Sequence, residues 1–167
     1  MYRITLAWQE NDRIRTRTIA DDDDTLYPNK IIVGRGQENE CDITLHHLDP
    51  EIIRTVSLIH LEIFYDQETN KFFGKNLTKN RQPPKRPNPI IIDGTKIIND
   101  IVEIKQNSVL KLGKITMVVR NIELPENKGK YIIKCSGPQK HSLSMEYEGL
   151  NCPYCGYVVF TGTTLKS

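Results

Sequence analysis

The chain has 167 residues and a net charge of +2, so its length favours one ordinary domain, or one domain with a small appendage, and there is enough chain to bury a sizeable core. The charge is unevenly placed: residues 1–125 hold 18 basic and 18 acidic side chains, and residues 126–167 hold five and three. The sequence runs straight into strand-like alternation with no apolar segment fit to be a secretory signal or to span a bilayer, which sets the expectation of a cytoplasmic protein without a membrane partner and points its four cysteines to metal or free thiols rather than disulfides.

In chain order, the first predicted strand is Ile4 to Trp8, where Ile4, Leu6 and Trp8 alternate with Thr5 and Ala7; Asn11-Asp12 separates it from a second, Ile14 to Ile19. An acidic run, Asp21 to Asp24, precedes a third strand at Lys30 to Val33 that ends in Gly34-Arg35. Cys41-Asp42-Ile43-Thr44-Leu45 comes next, then Ser57-Leu58-Ile59-His60. That last motif opens a strand predicted from Ile59 to Tyr65, with Ile59, Leu61, Ile63 and Tyr65 on one face.

After the polar turn at Asp66 to Asn70, residues 71–92 carry Lys71, Lys75, Lys79, Arg81, Lys85 and Arg86 and no acidic side chain. By itself this stretch reads as a solvated, lysine-rich loop that keeps strand edges from pairing. Its place beside Leu77-Thr78-Lys79-Asn80 shifts the reading toward an anion-attracting surface. Pro83, Pro84, Pro87 and Pro89 then hold the loop stiff and out of ladder pairing, where it widens a contact, meets a partner, or is a tolerated insertion. Asn76-Leu77-Thr78 matches a glycosylation acceptor only formally, since no secretory route is expected.

Ile92-Asp93-Gly94-Thr95-Lys96-Ile97, Val109-Leu110-Lys111-Leu112-Gly113 and a last strand from Ile115 to Arg120 complete the series, with no internal repeat. Short strands broken by polar turns predict an all-β fold, an antiparallel β-sandwich over residues 1–124. Loops at one end of a sandwich lie side by side, so Arg35, Ser57 and Asn80 are expected to meet on a rigid scaffold.

Leu124 to Gly129 reads as a polar boundary, giving a linker at 125–130 and a second unit at 131–167. That unit contains Cys135, His141, Cys152 and Cys155. Cys152-Pro153-Tyr154-Cys155-Gly156 is the strong part, because a C-x-x-C turn closing on glycine brings two thiolates to tetrahedral spacing, and it resembles one knuckle of a zinc ribbon. His141 is the loosest of the four candidate ligands of a structural Zn2+, because five residues separate it from Cys135. So short and weakly apolar a segment needs the metal to hold together. A redox-active C-x-x-C is the rival, but no βαβ pattern surrounds it. Cys41 is left over as a small core residue.

The order of Gly34-Arg35, Ser57 to His60 and Leu77 to Asn80, with the flanking motifs quoted above, resembles the forkhead-associated (FHA) family of phosphothreonine-reading domains over residues 1 to 122. The resemblance implies an FHA/SMAD-like sandwich and a phosphopeptide-binding role for Arg35, Ser57, Lys79 and Asn80, with Gly34 and His60 as structural support. His60 would prop the serine-bearing loop, and Asn80 would hydrogen-bond the main chain of the peptide. Arg35 is suited to a phosphate because its planar guanidinium stays ionised and gives two parallel hydrogen bonds; Ser57 adds a hydroxyl donor. The family often has a basic residue after the serine, where this chain has Leu58. Lys79 then becomes the replacement charge and Arg54 a second candidate.

These residues imply a non-catalytic adaptor that recruits a phosphothreonine-containing protein. The alternative is an FHA-like scaffold that docks into a larger assembly without phosphate dependence, and the weaker one a nucleic-acid-associated protein using the basic loop and the ribbon. An enzyme is not expected: zinc with four protein ligands has no open position, no Gly-rich nucleotide loop is present, and Ser57 with His60 lacks a third group to orient a base.

Overall fold

β1 (Arg3–Glu10) and β2 (Arg13–Ala20) pair in full register from Arg3 opposite Ala20 to Glu10 opposite Arg13. The hairpin turns at Asn11, whose φ of 55° lies in the left-handed region that asparagine tolerates. The alternation in β1 buries Ile4, Leu6 and Trp8 on the inner face. In this computed structural model, residues 1–125, 132–144 and 147–159 are described. The chain divides into two compact units, Met1–Pro125 and Glu126–Ser167.

In the first unit β3 (Lys30–Gly34), β4 (Ile43–Thr44), α1 (Pro50–Ile53), β5 (Leu61–Asp66) and β6 (Lys71–Asn76) follow in order. After them come β7 (Ile90–Ile92), β8 (Thr95–Ile97), β9 (Ile101–Ile104), β10 (Val109–Leu112) and β11 (Ile115–Glu123). One sheet has the order β2-β1-β11-β10-β7-β8 and the other β4-β3-β5-β6-β9. Their inner faces share one core that includes Leu6, Val33, Leu61, Ile63, Phe72, Ile92, Leu110 and Met117. The unit is thus an all-β sandwich, antiparallel except that β4 runs parallel to β3.

Two local features depart from the sequence reading. The strand expected from Ile59 begins at Leu61, so Leu61, Ile63 and Tyr65 keep the buried face while Ile59 precedes the strand and is exposed. α1 has no counterpart among the predicted elements, although its start signal is present: Asp49 caps it by accepting from the Glu51 N–H at 2.8 Å, and Pro50 takes the first helical position. The β7–β8 hairpin turns on Asp93 (φ 48°) and Gly94 (φ 83°), the two positive-φ positions that an Asp-Gly type I′ turn requires.

In the second unit β12 (Ile132–Lys134) pairs antiparallel with β13 (Ser142–Ser144), with Ile133 opposite Leu143. Ile133, Leu143, Val159, Cys135 and Cys152 form its small core. The expected linker at 125–130 lies, apart from Pro125, outside the described residues. Among the described residues, no helix is long and apolar enough to cross a membrane.

Candidate functional site

Arg35 follows the last residue of β3, and the loop that carries Ser57 crosses directly against it. The Arg35 N–H donates to the Ser57 carbonyl at 3.0 Å and the Gly36 N–H to the Leu58 carbonyl at 2.9 Å. Gly34 makes this approach sterically feasible, because a Cβ there would collide with the Leu58 carbonyl oxygen. The Arg35 side chain is fixed by its Nε, which donates to the Val56 carbonyl at 2.7 Å. Its terminal nitrogens make no further hydrogen bond or ion pair among the described residues.

Ser57 is buried, and its hydroxyl oxygen accepts from the Asn88 side-chain amide at 3.0 Å. The same amide donates to the Thr55 carbonyl at 2.9 Å. His60, wholly buried, accepts from the Ser57 N–H on Nδ1 at 3.3 Å, so its Nε2 carries the proton and donates to the Asn88 carbonyl at 3.1 Å. Burial pushes His60 down to about 4; the Asn88 carbonyl opposes this shift and the charge of Arg81 adds to it. The imidazole is therefore neutral at pH 7 and acts as a fixed strut.

The Asn88 carbonyl also accepts from the Asn76 amide at 2.6 Å, and the Asn88 N–H donates to the Thr78 hydroxyl at 2.7 Å. Asn76 is buried at the end of β6, which removes its glycosylation motif from the surface. Thus the proline-rich loop is clamped at its far end, and Asn88, absent from the sequence reading, ties the loops of Ser57 and Thr78 together. The only sequence signal was an Asn-Pro pair directly before the apolar run of β7. Lys79 and Asn80 lie in the turn after β6, both exposed, with no side-chain hydrogen bond or ion pair among the described residues. Of the six basic side chains expected to attract anions, Lys71 is paired with Glu103 and Lys75 with Glu62, each at 3.0 Å.

Residues 31–113 match the family model for the FHA domain. This segment is an FHA domain. Solved structures of similar fold include the FHA domain of the CT664 protein of Chlamydia trachomatis, at 19% identity over 71% of this chain and 97% of that one, TM-score 0.51. An FHA domain of an Arabidopsis thaliana hypothetical protein matches at 17% identity over 74% and 89%, TM-score 0.53. The kinase-interacting FHA domain of the Arabidopsis kinase associated protein phosphatase matches at 15% identity over 75% and 97%, TM-score 0.52. Comparison with curated proteins returns no match. Beside the FHA domain's Arg35, a cavity of about 390 Å³ is lined by that residue together with Arg54, His46 and His47.

In the second unit, one ligand atom from each of Cys135, His141, Cys152 and Cys155 lies within 4.8 Å of all the others, a group that could hold a metal ion. Cys135 Sγ is 3.7 Å from His141 Nδ1 and 3.6 Å from Cys155 Sγ, and Cys152 Sγ is 3.6 Å from His141 Nδ1. These three separations are of the length expected for edges of a tetrahedron around an ion bound at about 2.0–2.3 Å. Burial alone would raise the Cys152 thiol, but hydrogen bonds from the backbone N–H groups of Tyr154 and Cys155 and from the Cys155 and Cys135 thiols together outweigh it and hold the thiol at about 7. Cys41 is separate: buried in the first unit, its thiol faces the Leu58 carbonyl at 3.2 Å.

Proposed function

We propose that this chain is a non-catalytic adaptor whose FHA domain recruits a protein partner by binding a phosphothreonine peptide. FHA domains are interaction modules that bind such peptides. The observation that carries the reading here is the state of Arg35: its Nε is anchored to the Val56 carbonyl beside the Ser57 loop, and its terminal nitrogens are unpaired among the described residues. A guanidinium held this way offers two parallel donors to phosphate oxygens without first giving up an ion pair. Ser57, its hydroxyl oxygen already accepting from Asn88, keeps its own proton to donate. Lys79 and Asn80, exposed and unbonded on the neighbouring turn, are left for the flanks of the peptide, where an amide suits a main chain.

The test is a titration of matched threonine and phosphothreonine peptide libraries against wild type, Arg35→Ala and Ser57→Ala. Loss of a charge-assisted bond worth about 1.5–3 kcal/mol weakens phosphopeptide binding by roughly one to two powers of ten. Equal binding of the two libraries, or no loss in either variant, refutes the reading. A second reading, constitutive docking without phosphate, is favoured by Leu58 and Ile59, adjacent apolar side chains that are 48% and 42% exposed. It predicts that Leu58→Asp disrupts capture of a partner while Arg35→Ala does not.

The four-ligand group of the second unit fits zinc by donor set and spacing, and we assign it a structural Zn2+. Cys135, His141, Cys152 and Cys155 would fill all four positions of a tetrahedral ion, a closed site that holds a fold together and leaves no place for water or substrate.

A further inference from the structure

Resting on the phosphothreonine reading, we propose that the second cationic ligand of the bound phosphate is Arg54, at the end of α1, rather than Lys79. A phosphothreonine brings close to two negative charges, so Arg35 alone leaves one uncompensated. The cavity of about 390 Å³ that Arg35 borders is also walled by Arg54, His46 and His47; Lys79 is not among its walls, nor is the buried Ser57, whose place beside Arg35 rests on their backbone hydrogen bond. Two guanidiniums facing one cavity match a dianion in charge and in fork geometry, which an ammonium on an exposed turn does not.

Arg54 is held in place by its backbone. Its N–H closes α1 by donating to the Pro50 carbonyl at 3.1 Å, and Ile52 and Ile53 pack that helix against the sandwich core. The next residue locks the position: the Thr55 hydroxyl donates to the Ile52 carbonyl at 2.6 Å and accepts from the Lys114 N–H at 2.8 Å. The Arg54 side chain is exposed and unpaired among the described residues. His47 turns its other ring nitrogen to the cavity's polar wall, because its Nδ1 is taken up by the Asp49 N–H at 3.0 Å and Nε2 is its remaining polar atom. The acidic member of the wall, Glu10, is occupied by Arg15 at 3.0 Å. The short helix unforeseen from sequence therefore places a second fork where the family's residue after the serine, here Leu58, gives none.

The experiment titrates labelled degenerate threonine and phosphothreonine peptide libraries against wild type, Arg35→Ala, Arg54→Gln, Arg54→Lys and Lys79→Gln, with thermal unfolding of each. Arg54→Gln is expected to weaken the phosphorylated library by about ten- to a hundredfold, Arg54→Lys by less, and Lys79→Gln by under about twofold. A loss in Lys79→Gln as large as that in Arg54→Gln overturns the assignment while leaving the phosphothreonine reading standing, provided that Arg35→Ala still weakens binding of the phosphorylated library. Equal binding of the two libraries by wild type overturns both. Should Arg54→Gln lower the melting temperature, chemical-shift changes at the Arg54 and Arg35 Nε–H groups of wild type on adding O-phosphothreonine decide the matter: movement of both supports it, and movement of Arg35 alone refutes it.

Discussion

The side-chain amide of Asn88 donates to the hydroxyl oxygen of Ser57 at 3.0 Å across 31 positions of sequence. This contact joins the far end of the proline-rich loop to the loop that crosses Arg35. Because the Asn88 carbonyl also receives His60 and Asn76, one residue fixes the position of the proposed phosphate donor and seals the buried polar groups around it.

Truncating Asn88 therefore acts on both stability and binding. Asn88→Ala leaves the Thr55 carbonyl and the Ser57 hydroxyl without their donor, and the expected loss is about 1–3 kcal/mol. Asn80→Ala, at an exposed side chain without a bond, stays within about 0.5 kcal/mol. Urea unfolding of the two variants, with phosphopeptide titration alongside, checks this; equal stability of the two would refute the tie.

His60 gives the fold a defined acid sensitivity. Its folded-state pKa of about 4 lies below the unfolded value of 6.5, so the unfolded chain binds the proton more readily. The stability it contributes is complete above about pH 6.5, falls as pH drops, and is fully lost below about pH 4. The shift corresponds to roughly 3 kcal/mol. Denaturant midpoints at pH 7, 5.5 and 4 should fall in that order, and His60→Gln should flatten the part of the profile between pH 6.5 and 4. An unchanged profile in that variant would place the acid sensitivity elsewhere.

Much of this fold was legible because its signals are local. Alternation set the inner face of β1, and Asn11-Asp12 marked the break between β1 and β2, where the hairpin turns on Asn11 at a φ of 55°. The parts of the site that escaped detection depend on long-range hydrogen bonds. Nothing in Asn88-Pro89 records that its carbonyl will meet Asn76 and His60, whereas Lys79-Asn80 sits in a motif that invites a functional reading. α1 was missed for another reason: Asp49-Pro50 starts a helix, but four residues are too few to carry a periodic pattern.

Gly34 tests the crossing of the two loops. A methyl group there would drive into the Leu58 carbonyl, and because the obstacle is backbone, the Ser57 loop must shift. Gly34→Ala should destabilise the first unit by about 1–3 kcal/mol and loosen the grip of Arg35 on Val56. Gly94→Ala is a useful contrast, since open space surrounds it and only its φ of 83° opposes the change. Thermal unfolding with peptide titration should show phosphopeptide binding impaired in Gly34→Ala and retained in Gly94→Ala; the reverse result would contradict the crossing.

The metal assignment predicts one zinc per chain in the purified protein. Three thiols gathered with an imidazole within 4.8 Å would repel one another once ionised, unless a cation compensates them. The apolar core beside them is small, with Ile133, Leu143 and Val159 buried among the described residues, so on this assignment the ion supplies the larger share of the unit's stability, apparent binding being about 10–16 kcal/mol in small zinc domains. Cys152→Ser or a strong chelator should remove the metal and collapse amide exchange protection across β12 and β13, with protection in β1, β5 and β11 maintained. Metal analysis that finds no zinc, together with unchanged protection in Cys152→Ser, would show that the hairpin stands on its own packing.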